Sequence, residues 1–466
     1  MENSLTLISA QVQFMEDRLA LVHIPLDLYP FFLDPILQVL FHEVAPINET
    51  LAGSRGRDSP LEAPSHVQPA FLNLSLTPVE CSIMCPRQLA DEYFAPLLER
   101  FFQINPAIQT RLSISKDDFI AMQVYGEGLE AGQRVLELTT PLAMAGISIF
   151  FISTYFADYI IVPLKSKNLV IETLEKRGFQ FEISTEAFIN NNQHSLNNNF
   201  SPVSSLSAST LSSPPATPPP SSLNELQKRT FSSLRRNNII PSVDTSLRLV
   251  QCAAHHPYSS DASSIAILRD ALTTALVVDK PRFLSLTLTA ADPAASLLLE
   301  QRLLPRFSSN STSSAEEDDD SGLLLGSKED ILVPIMLDLR KLPLEATGIV
   351  CGVASRLADA THSRNDDNLS ASATLSIESS ISERHTSEPR PTSKPKSHSP
   401  GRKSTNPPTH RLQPDLDTSF DAVEISFLST ARAGTIIVGE HELRRAVDAL
   451  EAESHEPEKA IEALEI

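Results

Sequence analysis

Two stretches of this chain return later in the same order, and that recurrence limits the folds open to it more than any other feature. Phe71-Leu-Asn-Leu-Ser-Leu-Thr agrees with Phe283-Leu-Ser-Leu-Thr-Leu-Thr at five of seven positions. Ile147-Ser-Ile-Phe-Phe-Ile-Ser-Thr-Tyr-Phe-Ala-Asp-Tyr-Ile-Ile-Val agrees with Val423-Glu-Ile-Ser-Phe-Leu-Ser-Thr-Ala-Arg-Ala-Gly-Thr-Ile-Ile-Val at eight of sixteen. The offset grows from 212 to 276 residues between the matches, and a polar insert at 362–417 accounts for most of that growth. Ordered self-similarity is hard to obtain by chance, so the expectation is an internal duplication into two related halves.

Periodicity supplies the elements between these anchors. Phe71 to Thr77 alternates strictly with period two, which predicts a half-buried strand, and Pro78 turns it into a second strand, Cys81 to Cys85. Pro86 opens a helix to about Phe102, and Ile108 to Ile114 is expected as a closing strand. Phe119 to Val124, Ile147 to Ser153, Asp158 to Val162 and Phe179 to Ile183 read as strands, with helices over 129–144 and 168–177 between them. The order β-α-β-β-α-β, met twice in each half, predicts an α+β fold of four ferredoxin-like units. The expected boundaries are 1–114 and 115–185 for the first two units, then 241–306 and 329–456 for the third and fourth. Residues 186–240, 307–328 and the 362–417 insert are Ser-, Pro-, Asn- or acid-rich and are predicted to be disordered.

Composition excludes several functions. A net charge of -20 argues against general nucleic-acid binding, which needs a basic footprint. The apolar run Ile147–Val162 is too short and too polar to span a bilayer, and no basic-then-apolar leader opens the chain, so a cytoplasmic protein is expected. The four cysteines lack a zinc-type spacing and sit in apolar runs, as buried free thiols do.

Catalytic and cofactor motifs are missing from the sequence: there is no phosphate loop, dinucleotide turn, metalloprotease helix or nucleophile elbow. His255-His256 lacks a third ligand in register, and Glu127 and Glu130 suit a helix start better than acid–base work. The expectation is a binding protein without metal or cofactor, not an enzyme. The recurring Ser153-Thr154 and Ser429-Thr430 have two readings: hydroxyls that stabilise a turn, or the rim of a ligand pocket. Leu344-Glu-Ala-Thr-Gly-Ile-Val likewise reads either as an ordinary helix entrance or as one that holds a carboxylate.

Gly146-Ile-Ser-Ile-Phe-Phe-Ile-Ser-Thr-Tyr-Phe-Ala-Asp-Tyr-Ile-Ile-Val-Pro resembles the second-unit signature of the CASTOR (GATS-like) proteins, cytosolic arginine sensors made of four ACT domains. Leu344-Glu-Ala-Thr-Gly-Ile-Val and Ile425-Ser-Phe-Leu-Ser-Thr resemble the fourth-unit segments, and the long inserts would fit a fungal relative. The resemblance implies ACT units in both halves and an amino acid held between the second and fourth. It implies that Ser148 and Ile149 contribute from one side, with Glu345, Thr347, Gly348, Thr430, Ala431 and Arg432 opposite them. It also implies TOR-pathway regulation through a protein complex of the GATOR type, and a homodimer as one way for the halves to pair. Here the turn after Ser-Thr is Ala431-Arg432-Ala433-Gly434, without the family's aromatics and aspartate, and Ala346 stands where the family has an acid. Those departures argue against arginine as the ligand. The competing reading is a ligand-independent scaffold, switched by phosphorylation at Ser213-Pro, Thr217-Pro or Ser399-Pro.

Overall fold

The computed structural model describes residues 11–41, 69–125, 131–181, 220–255, 262–307, 324–358 and 425–452. Twelve of its strands carry the architecture. They are β1 (Leu19–Ile24), β2 (Phe71–Leu76), β3 (Cys81–Pro86), β4 (Phe119–Tyr125), β5 (Phe150–Ser153) and β6 (Asp158–Pro163) in the first half. In the second half they are β7 (Leu249–His255), β8 (Leu284–Thr289), β9 (Ala294–Glu300), β10 (Leu332–Asp338), β11 (Ile425–Ser429) and β12 (Ala433–Gly439).

These strands form one closed antiparallel ring in the order β1-β3-β2-β8-β9-β7-β10-β12-β11-β5-β6-β4, with β4 returning to β1. This corrects the expectation of four ferredoxin-like units. The strands that would have been edges are paired: β2 with β8, β5 with β11, β1 with β4 and β7 with β10. An unpaired edge leaves a row of free N–H and C=O groups, and closing the ring removes that liability. Periodicity within a segment cannot show which distant edge a strand will meet. The predicted strand at 108–114 is also shorter than expected, with a 3-10 turn at Pro106–Thr110 and only Ser113–Ile114 extended.

The two matched sequence pairs are the strands that join the halves. Leu74 lies opposite Leu286, the central positions of the matched seven-residue segments. Ile152 lies opposite Leu428, again at equivalent places in the longer match. Both pairings occur within a single chain.

Successive side chains point to opposite faces of the ring. Leu19, Leu21, Phe71, Met84, Tyr159, Ile161, Met336 and Ile437 fill its inside. Their alternates form two outer layers. One packs β1–β3 and β7–β9 under the helix α1 (Leu33–Phe41), under the helical run 87–104 and under Ala262–Thr274. The other packs β4–β6 and β10–β12 under α-helices Ala131–Met144, Lys167–Glu175, Leu223–Arg236 and Leu443–Glu451.

With both faces covered, β2 is fully buried rather than half-buried. Its polar alternates point inward and bind one another. The Asn73 amide donates to Ser285 Oγ at 3.1 Å and Thr287 Oγ1 at 3.0 Å, and Ser75 Oγ donates to Asn73 Oδ1 at 2.8 Å.

The segment read as a linker to residue 240 contains the helix Leu223–Arg236. Ser222 caps it by accepting from the Glu225 N–H, and the Glu225 carboxylate reaches back to the Ser221 N–H at 2.7 Å. This is close to a capping box, hidden in the sequence by the Ser/Pro tract before it. Buried Leu226, Thr230, Phe231 and Leu234 dock it. Residues 186–219, most of 307–328 and the 362–417 insert lie outside the described residues.

Candidate functional site

A cavity opens where the two halves meet in the second outer layer. Its walls are the loop after β10 (Leu339, Leu342–Leu344, Ala346), the start of a helix over 349–358, and β11 with its turn into β12. Ala143, Ile147, Ile149 and Phe150 close it from the first half. Its free volume is about 60 Å³, and a site needs roughly 10–15 Å³ of such room to hold a water. Gly348, at φ +77, lets the loop turn into the helix and rests against Leu226 of Leu223–Arg236. Four positions further on, inside the helix over 349–358, Gly352 lets this helix approach Leu223–Arg236: a Cβ there would meet Thr230 Oγ1 at 2.7 Å.

Four of the eight residues singled out in the sequence line this cavity: Ile149, Gly348, Thr430 and Ala431. The other four do not. Ser148 is half-buried beside it, and Glu345 and Thr347 are exposed. Glu345 contributes to holding the Lys165 ammonium above its ordinary range, behind the larger effect of Asp117. Arg432 turns onto the neighbouring loop, its guanidinium 3.5 Å from the Leu342 carbonyl.

The turn reading of the Ser-Thr pairs describes both sites. Thr154 Oγ1 donates to the Ala157 carbonyl at 2.7 Å and accepts the Ala157 N–H at 3.1 Å. Thr430 Oγ1 accepts the Ala433 N–H at 3.2 Å and lies 3.2 Å from the Ala433 carbonyl, but it makes a shorter bond by donating to Glu80 Oε1 at 2.5 Å. The same carboxylate oxygen accepts the Arg432 N–H, and the other pairs with His23 Nδ1. Glu80 is completely buried. A carboxylate in the β2–β3 turn of the first half thus holds the β11–β12 turn that walls the cavity in the second.

Sequence reasoning missed Glu80, though a signal was present. Thr77-Pro-Val-Glu80 and Thr289-Ala-Ala-Asp292 place an acid three residues after a threonine at the end of each matched strand. Asp292 is also buried, accepting from the Tyr159 hydroxyl at 2.8 Å and the Gln123 amide at 3.0 Å. Burial pushes its carboxyl above the ordinary aspartate range, while the hydrogen bonds from Tyr159, Thr289 and Gln123 pull the other way.

The cavity's sulfhydryl, Cys351, is pushed up by burial against weaker opposing hydrogen bonds from Thr140 and Thr139, the reverse of an activated nucleophile. All four cysteines are free and buried. Among the described residues, no His, Cys, Asp and Glu cluster could hold a metal, and no helix is long and apolar enough to cross a membrane. His255 ends β7 opposite Ala294; His256, Glu127 and Glu130 lie outside the described residues.

Residues 114–176 match the family described as ACT domain. No curated protein matches the chain. Solved structures with similarity include the Agrobacterium tumefaciens protein Atu0741, at 15% identity over 38% of this chain and 93% of that one, TM-score 0.21. An aspartate kinase from Synechocystis is 10% identical over 96% of this chain and 55% of its own, TM-score 0.26. A Vibrio cholerae protein of unknown function, possibly a transport protein by its description, is 16% identical over 37% and 93%, TM-score 0.20. ACT domains are generally amino-acid-binding regulatory domains, and the segment that matches the family, residues 114–176, supplies the first-half wall of the cavity.

Proposed function

We propose that this protein is an amino-acid-responsive regulator, a cytoplasmic CASTOR-like sensor without catalytic activity whose partner is a GATOR-type complex in TOR signalling. The observation that carries the reading is the cavity: residues of the ACT-matched segment form one wall, and a turn from the other half forms the opposite one. A small molecule seated there touches both halves, so its binding free energy depends on how they are set relative to each other. Any change in partner affinity that the ligand causes must be matched by an equal change in ligand affinity caused by the partner. The antiparallel pairing of the matched strands, Leu74 on Leu286 and Ile152 on Leu428, supports descent of the two halves from an internal duplication.

The test is a thermal-shift panel on the full chain with each of the twenty amino acids at millimolar concentration. A ligand that binds the native state alone raises Tm by mass action. No shift with any of them would remove the sensing reading and leave the ligand-independent scaffold, whose partners bind regardless of amino acids. Affinity purification with and without the ligand then separates regulated from constitutive association.

A further inference from the structure

We infer that the cavity selects an amino acid with a small aliphatic side chain, such as valine, leucine or isoleucine, and rejects arginine and other charged amino acids. The inference rests on the reading of this cavity as an amino-acid site and adds the side-chain class it takes. The lining is Ile147, Ile149, Leu337, Leu339, Val350, Phe427 and other apolar groups, with Ser429 and Thr430 as its hydroxyl-bearing edge. Among the described residues, no ionisable side chain other than the Cys351 thiol lines it, and that thiol is held neutral by burial.

The nearby acids are already committed. Glu80 is held by Thr430 Oγ1, the Arg432 N–H and His23. Asp158 binds the Arg134 guanidinium at 2.6 Å, with its side chain 4% exposed. Asp338 binds Arg340 at 2.5 Å. Glu345 is exposed and acts on Lys165.

A guanidinium entering the cavity would therefore give up its water without gaining a carboxylate. A charge desolvated without a partner is strongly disfavoured. A glutamate or aspartate side chain meets the same obstacle, because the Arg432 guanidinium faces the Leu342 carbonyl and does not line the cavity. With the zwitterionic end of the ligand kept at the hydroxyl-bearing edge by Ser429, a branched aliphatic side chain loses no hydrogen bonds on entry and gains contacts with the Ile, Leu, Val and Phe side chains of the apolar walls.

The experiment compares valine, leucine, isoleucine, arginine, lysine and glutamate on the full chain by thermal shift, with radiolabelled leucine in equilibrium dialysis as a second readout. At roughly 100 times Kd, an aliphatic ligand should raise Tm by about 5 °C. Arginine, lysine and glutamate should leave Tm unchanged. Ala346→Leu, which fills the cavity from a half-buried loop position, should abolish the leucine shift and the bound counts without lowering the unliganded Tm by more than a few degrees. If Ala346→Leu does not fold, Ala346→Asp is read in the same way, and it too should lose leucine. A shift with arginine, lysine or glutamate that Ala346→Leu abolishes would overturn the side-chain class and leave the site standing. A leucine shift that survives both variants would overturn the location. Silence from valine, leucine and isoleucine would overturn the side-chain class, and silence extending to the full panel of twenty would overturn the site together with its ligand.

Discussion

The carboxylate of Glu80 accepts the hydroxyl proton of Thr430 at 2.5 Å, across 350 positions of sequence. It links the end of one matched strand pair to the turn that walls the cavity. Truncating it to alanine leaves the Thr430 hydroxyl, the Arg432 N–H and the His23 ring without their acceptor inside the ring. Unmaking buried charge-assisted bonds should cost about 3 kcal/mol. Urea unfolding of Glu80→Ala measures it. Glu80→Gln, which keeps one acceptor oxygen, should lose less. Equal losses for both variants would mean that the charge is irrelevant.

The other buried acid predicts a pH effect. Native Asp292 holds its proton to higher pH than an aspartate at the ordinary 3.8, so the folded state binds more protons than the unfolded one within that window. The Asp292 contribution is therefore full below 3.8, falls as pH rises through the window, and is level above it. Asp292→Asn removes that falling limb. The stability of wild type relative to Asp292→Asn should decline between about pH 4 and the raised native value, measured by urea melts at several pH values. A difference that stays constant over that range would contradict the assignment.

Helix propensity and packing make opposite predictions at Gly352. Alanine is worth roughly 1 kcal/mol more than glycine in a helix interior. Here the added Cβ would lie 2.7 Å from Thr230 Oγ1 and 2.8 Å from Thr230 Cβ. Packing should win, and Gly352→Ala should destabilise by about 1–3 kcal/mol. A raised Tm would show that the two helices are free to separate.

Leu74 and Leu286 test the seam between the halves. Both are 1% exposed. Each leucine-to-alanine change should cost about 2–5 kcal/mol. Because the two residues face each other across the β2–β8 pair, the double variant should deviate from additivity by about 0.5 kcal/mol or more. Strict additivity in a double-mutant cycle would mean that the seam is not coupled there.

Thiol chemistry offers a check on burial. The Cys85 and Cys252 thiols are pushed up to about 12, in both cases chiefly by burial. Near neutral pH the native chain should react with a thiol reagent at least tenfold more slowly at these two cysteines than the urea-unfolded chain does, since thiolate is the reacting form. Mass spectrometry of the labelled peptides reads this directly.

Much of this protein was determined by its sequence alone. The strands from Phe71, Cys81, Phe119, Asp158 and Leu284 follow from period-two patterns and proline punctuation, because alternation and dihedral restriction act locally. The recurrence of Phe71–Thr77 at Phe283–Thr289 marked the strands that prove to pair. Four of the residues implied by the family resemblance, Ile149, Gly348, Thr430 and Ala431, line the cavity.

Only the tertiary structure decided the closure of twelve strands into one ring, in place of four separate units. It also decided the inward-facing Asn73–Ser285–Thr287 cluster, the docking of Leu223–Arg236, and the reach of Glu80 to Thr430. Each depends on which distant edge or cavity a group meets. That choice is set by the summed burial and hydrogen-bond satisfaction of the whole chain, and no local pattern of residues encodes it.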